Sequence, residues 1–175
     1  SAVGRMGLLL KTLTQYEGQL SYTASDSTLD ILSKLTGEHG AVALPTHAVS
    51  SLLGATSNII VAVAPTATGQ RRRMQQDRAS QQALQRRMAR VQGILVNVSM
   101  ASTARMLPGE DAEVLATRAF ELSVQRFGND TRPEGSTIAN GEIGVPFSKL
   151  QEAGVHVDTQ VIKWRGNPFA VSSTV

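Results

Sequence analysis

At 175 residues, 41% hydrophobic and 18% charged, the chain is excluded from the disordered class and is long enough to bury the core of one domain or of two small packed subdomains. The absence of cysteine excludes disulfide and zinc–thiolate frameworks and leaves either side of a membrane open. The net charge of +3 and pI near 9.7 come from one segment. Seven of the seventeen Lys and Arg fall between Arg71 and Arg90, and outside it ten basic residues face thirteen acidic ones, so the chain carries a basic patch without being a basic protein.

Residues 4 to 20 place Met6, Leu9, Leu10, Leu13 and Leu20 at mainly helical spacing, and Gly18 weakens the end, which predicts an amphipathic helix. In "SDSTLDILSKLTG", Ser25, Asp26 and Ser27 are candidate caps, Leu29, Leu32 and Leu35 share a face, and Gly37 offers a stop, predicting a second, shorter helix. Pro45-Thr46 opens a third, in which Val49, Leu52, Leu53, Ile60 and Val63 share a face before Pro65. Apolar residues around most of its girth mark it as central.

The longest element is expected over roughly residues 71 to 104. Leu84, Met88, Val91, Leu95 and Val98 repeat with 4-3-4-3 spacing, a narrow seam for a partner helix. Arg86, Arg87 and Arg90 lie off that seam, so the basic run reads as the solvated face of a long helix. Pro108 pushes Leu107 out of the α region and Gly109 permits a turn, so the helix ends by about residue 106.

Beyond it the period changes to two. Phe120, Leu122 and Val124 alternate with Glu121, Ser123 and Gln125, a strand with one buried face. Ile143, Val145 and Phe147 alternate, as do Val155 and Val157; Val161 shares a face with Lys163, and Ile162 with Trp164. Asn140-Gly141 between Ile138 and Ile143 suits a tight hairpin. Helices first and strands second give an α+β fold, an N-terminal helical bundle (1–106) followed by a partial antiparallel β-sandwich (107–175). Three or four strands leave edges that invite pairing, so the sheet is expected to continue beyond the chain or to be completed by a partner.

No apolar run approaches the roughly 20 residues that span a bilayer, and Gly7-Leu8-Leu9-Leu10 is too short for a signal peptide. No membrane-spanning segment is expected. An opening Ser1 without Met suggests a piece of something longer, leaving room for an anchor or leader outside it.

Candidate chemistry is sparse. His39, His47 and His156 sit in unrelated segments without a second ligand at metal spacing. Glu110, Asp111 and Glu113 cluster after a Pro-Gly turn but lack a calcium-type loop. No phosphate loop, nucleophile elbow or dinucleotide fingerprint is present, and nothing activates Ser50-Ser51 or Ser172-Ser173. The sequence points to no catalytic residues, no metal and no cofactor, and so to no enzyme. Two glycosylation acceptor sequons remain, Asn97-Val98-Ser99 and Asn129-Asp130-Thr131. The second lies in the polar run "GNDTRPEGS" and is the better candidate.

The helices "STLDILSKLTG" and "HAVSSLLGATSNIIVAV", a long helix, then "MLPGEDAEVLATRAFELSVQR", "GEIGVPFSKLQEAG" and "VIKWRGNPF" together resemble the extracellular region before the cleavage site in polycystin-like and receptor-for-egg-jelly proteins. That region in turn resembles the GAIN domain of adhesion receptors. The resemblance runs over nearly the whole chain and implies a helical subdomain followed by a β-sandwich. The family's cleavage motif, with its Cys pairs and His-Leu/Ser-Thr scissile site, has no match here, so no autoproteolytic residue is carried over and no cleavage is expected within residues 1 to 175. The implied role is a non-enzymatic extracellular module of a large membrane-associated protein, mechanical or adhesive, at a cilium, flagellum or cell surface. Its partners would be other domains of the same protein or a neighbouring channel subunit. The alternative is an intracellular helical scaffold or nucleic-acid-binding adaptor using Arg71, Arg72, Arg73, Arg78, Arg86, Arg87 and Arg90, whose binding would be steeply salt-dependent.

Overall fold

A computed structural model of the chain describes residues 2–16, 19–39, 44–63, 78–128, 137–138, 143–144 and 156–166. The helices α1 (Ala2–Thr14), α2 (Tyr22–His39), α3 (Thr46–Val63) and α4 (Arg78–Thr103) precede the strands β1 (Glu113–Ala116), β2 (Phe120–Phe127), β3 (Thr137–Ile138), β4 (Ile143–Gly144) and β5 (Val157–Trp164). The fold is α+β with its helices first. The antiparallel sheet runs in the order β1-β2-β5, and β3 and β4 form a separate two-stranded ladder. Among the described residues this three-stranded sheet is small, so the partial sandwich expected from the sequence fits it only loosely. The β3–β4 pairing of Ile138 with Ile143 fits the predicted hairpin, while Asn140-Gly141, Val145, Phe147 and Val155 lie outside the described residues.

One core joins helices and sheet. Leu52, Leu53 and Ile59 of α3, Leu29 and Leu32 of α2, and Val91, Ile94, Leu95 and Val98 of α4 are all but fully buried together with Phe120, Leu122 and Val124 of β2. Each such aliphatic side chain contributes about 1.5–3 kcal/mol on leaving water. Ile162 and Trp164 of β5 pack against the same cluster, and Trp164 meets Phe120 edge-on at 5.6 Å. The predicted buried face of β2 therefore holds through Phe120, Leu122 and Val124, and in β5 Ile162 and Trp164 share the core side as expected while Asp158 and Gln160 on that face are exposed. Helix α3 is long and apolar enough to cross a membrane, with a mean hydropathy of 1.3 over 18 residues, and 61% of it is buried within the fold.

The α4–β1 junction forms as Pro108 dictates. The helix tightens through Arg105 N–H to Ser102 C=O and Met106 N–H to Thr103 C=O. Leu107 N–H then donates to Glu110 Oε2 at 2.9 Å. Gly109 adopts φ 89°, a left-handed conformation that glycine takes at no steric cost, and its N–H reaches Arg126 C=O at 2.9 Å. Arg105 spans the same junction, its guanidinium bonded to Thr46 of α3 and to both carboxylate oxygens of Glu113 in β1.

Two expectations are corrected and one element is new. Helix α1 ends at Thr14 and buries Val3, Gly4, Gly7, Leu10 and Thr14, while Met6, Leu9 and Leu13 of the predicted face are exposed. The helix is apolar on both sides, and its two small residues allow the closer approach. A Cβ on Gly7 would meet Leu52 Cδ2 and Ser51 Cβ at 3.3 Å. Helix α2 starts at Tyr22 rather than after Ser25–Ser27, because Ser21 caps it with its Oγ accepting from Ala24 N–H at 3.1 Å, and it runs through Gly37 to His39. Strand β1 was not expected at all; four residues are too few to display a period.

Candidate functional site

The basic segment comes first because it carried the sequence's main charge signal. Arg71, Arg72, Arg73 and the Arg78 side chain lie outside what is described. Arg86 is exposed. Arg87 departs from the expected solvated face, because the turn of α4 that carries it lies against α2, whereas the Arg90 side chain stays 40% exposed. Arg87 donates through Nε and Nη2 to the two oxygens of Asp26 at 2.7 and 2.9 Å, with its guanidinium 4.9 Å from the Tyr22 ring centre, a cation–π distance. Only 12% of its side chain is exposed. Arg90 reaches Asp30 at 3.2 Å and Asp26 at 3.9 Å. Hydrogen bonding from Arg87 holds the Asp26 carboxyl below its ordinary range, against the opposing pull of partial burial. Two of the seven candidate arginines thus serve helix packing. Their acidic partners are sixty residues upstream, where no local reading of the sequence looks.

The remaining candidates disperse. Asn129 is outside the described residues. Asn97 is half-buried on α4, its amide 4.0 Å from where a Cβ on Gly37 of α2 would stand, and the sequon's Ser99 is buried with its hydroxyl donating to Leu95 C=O. His47 and His156 are exposed, and the His39 side chain is outside the described residues. Among the described residues no cluster of His, Asp and Glu fit to hold a metal occurs. The carboxylates after the Pro-Gly turn separate: Glu110 caps the turn and Glu113 pairs with Arg105.

The sequence did not reveal a cleft between the helices and the edge of the sheet. It has a volume of about 350 Å³ and is lined by Lys11 of α1, by Ser50, Leu53, Gly54, Ser57 and Asn58 of α3, and by Val114 to Arg118. Gly54 makes room on its helical wall, where a Cβ would stand 2.9 Å from Lys11 Cδ, so the lysine stem lies across the bare backbone. Asn58 fixes the end of α1 by donating to Lys11 C=O and Thr14 Oγ1. At the far wall Ala119 N–H donates to Ser57 Oγ at 3.0 Å. Lys11 and Arg118 are the basic residues among the described lining.

The sheet wall is an edge strand of the described sheet. Thr117 N–H donates to Phe120 C=O at 2.8 Å, so by the alternation of an antiparallel ladder Leu115↔Leu122 and Glu113↔Val124 are the hydrogen-bonded pairs. Val114 and Ala116 therefore turn their backbone N–H and C=O away from β2, toward the side where the described sheet has no further strand. At the opposite edge, Arg165 N–H bonds to Ala119 C=O, and the same alternation turns the backbone N–H and C=O of Asp158, Gln160, Ile162 and Trp164 away from β2. Arg126 holds the Asp158 carboxylate from the neighbouring strand at 2.7 and 2.8 Å and lowers its pKa. A second exposed feature is the outer face of α1, where Met6, Leu9 and Leu13 lie beside Tyr16.

No family model matches the chain, and no curated protein matches it.

Proposed function

We propose that the chain is a non-enzymatic extracellular structural and interaction module, GAIN-like and polycystin-like in character, within a large membrane-associated protein of a cilium or cell surface. The observation that carries the reading is mechanical. A four-helix unit and a small sheet share one core, are clasped at their junction by Arg105 and Glu113, and leave β1 and β5 as open edges of the described sheet. Such a body transmits force as one piece and offers strand edges for pairing. The helices-then-strands order and the Pro108-Gly109 turn agree with the family resemblance. Its partners would be further domains of the same protein or a neighbouring subunit.

Glycopeptide mass spectrometry on protein from its native source tests the compartment. Asn129 is expected to carry a glycan and Asn97 to be bare, since a sugar on the Asn97 amide would have to displace α2. Both asparagines unmodified, in a cell that glycosylates its neighbouring surface proteins, would overturn the extracellular reading.

A further inference from the structure

We infer that the outer face of α1 is a docking seam for a partner helix, supplied by another domain or subunit, that brings an apolar stripe of its own and a carboxylate to face Arg5. The inference names the kind of partner that the interaction module proposed above takes and rests on that reading, though not on its compartment.

Helix α1 carries two stripes. Val3, Gly7, Leu10 and Thr14 recur with 4-3-4 spacing and are buried, lying chiefly against α3. Ala2, Met6, Leu9 and Leu13 recur with the same spacing one residue earlier, and the helical repeat sets this second stripe roughly 100° around the axis from the first. Met6, Leu9 and Leu13 keep 42, 54 and 65% of their surface in solvent, against 7% for Val3 and 5% for Leu10. Two such seams on adjacent faces are the pattern of a helix packed between two others, and the described helices fill the inner seam alone.

The spacing selects the occupant. In α4 the same alternation of three and four places Met88, Val91, Leu95 and Val98 in the core against helical neighbours. Side chains at that spacing fit the holes of a facing helix, whereas a strand repeats every two residues and does not match them. A lipid surface calls for a broad apolar arc, but the exposed Arg5 and Thr12 project between the outer stripe and Leu8 and cut it to a narrow band. Charge decides against a second copy of α1. The helix carries Arg5 and Lys11 and no carboxylate, so its own copy offers Arg5 no acidic group, while an acidic residue flanking a partner's stripe would meet Arg5 at the border of this one.

The probe is a capped peptide of about three heptads with leucine at the a and d positions and glutamate at e and g, whose like charges hold it apart from its own copies. It is titrated into the whole chain and followed by NMR, with the same peptide carrying lysine at e and g as the comparison. The glutamate peptide is expected to bind with a dissociation constant on the order of 0.1 mM or tighter, to move the methyl signals of Met6, Leu9 and Leu13, and to weaken as salt rises. Leu9→Ser and Leu13→Ser, at exposed positions where substitution leaves the fold intact, should each weaken it about tenfold or more while the dispersed spectrum persists. Arg5→Glu should exchange the preference, so that the lysine peptide becomes the tighter binder. Should a serine variant unfold the chain, this exchange carries the test alone.

No binding at millimolar peptide, equal binding of the two peptides by the parent, or binding unaffected by the serine variants would each overturn the inference. So would self-association of the chain through Met6, Leu9 and Leu13, or a larger response of their methyls to phosphatidylcholine–phosphatidylglycerol vesicles than to the peptide. A failure here, with Asn129 glycosylated, removes the docking seam and leaves the surface-module reading standing. A bare Asn129 with the charge-dependent binding intact overturns the compartment and leaves the seam.

Discussion

Ala119 N–H donates to Ser57 Oγ across 62 residues of sequence, a 3.0 Å bond in the buried seam between the β1–β2 turn and the middle of α3. It is the point at which the sheet is pinned to the central helix. Thr117 and Phe120 close the turn through the Thr117 hydroxyl, which donates to Phe120 C=O and accepts from Phe120 N–H, and that closure leaves Ala119 N–H facing α3.

Removing the acceptor strands a buried donor. Ser57→Ala is therefore expected to cost about 1–3 kcal/mol of stability, measured by urea denaturation, and to speed hydrogen exchange at the Ala119 amide more than elsewhere in β2. A variant as stable as the parent would mean that the turn finds another acceptor.

The pH dependence follows from Asp26 and Asp158, whose carboxyls sit below their ordinary range because Arg87 and Arg126 respectively hydrogen-bond to them. A depressed folded pKa adds stability above the unfolded value, near 3.8, and loses it as pH falls through the folded value. Both side chains are more than one-third exposed, so each pair contributes about 1 kcal/mol or less. Asp26→Asn and Asp158→Asn are expected to be mildly destabilising at pH 7, with the gap to the parent shrinking as the pH is lowered below about 3.8. Melting curves that stay separated by the same amount across that range would contradict the assignment.

How much of this was readable in advance depends on how local the cause is. The α4 seam, the stop before Pro108, the turn at Gly109 and the faces of β2 and β5 depend on periods and breakers within a few residues, and all of them are present in the fold. Leu84 to Val98 named the seam but omitted Ile94, a fully buried neighbour of the 4-3 pattern. The face of α1 was misread because its choice depends on Gly7 fitting under Leu52, a contact between helices and not a pattern within one. The cleft was invisible for the same reason: Lys11, Gly54 and Ala116 are ordinary residues until α1, α3 and β1 are brought side by side.

That lesson about α1 gives a contrast between two glycines. At Gly93, on α4, an added Cβ meets nothing within 4 Å, so Gly93→Ala gains the helical preference of alanine, about 0.5–1 kcal/mol. At Gly7 the same change presses on Leu52 and Ser51 at 3.3 Å, and forcing α1 away from α3 is expected to outweigh the propensity gain and leave a net loss of roughly 1 kcal/mol or more. Thermal melts of the two single variants should move in opposite directions. Stabilisation by both would mean that α1 rides more loosely on α3 than its buried face implies.

Nucleic-acid affinity tests what the arginines are for. With Arg87 bound bidentately by Asp26 and Arg90 reaching Asp30, two cations on α4 are already neutralised, and a nonspecific duplex should bind weakly even at low salt. Releasing them should increase binding, because each freed arginine adds a phosphate contact and steepens the salt dependence by about one unit of slope. The double variant Asp26→Asn, Asp30→Asn is accordingly expected to bind a duplex more tightly than the parent in a low-salt anisotropy titration, and to lose that gain first as salt is raised. A parent protein that binds tightly with a steep salt slope, unchanged in the double variant, would place the interaction on the other arginines and favour the nucleic-acid adaptor over the surface module.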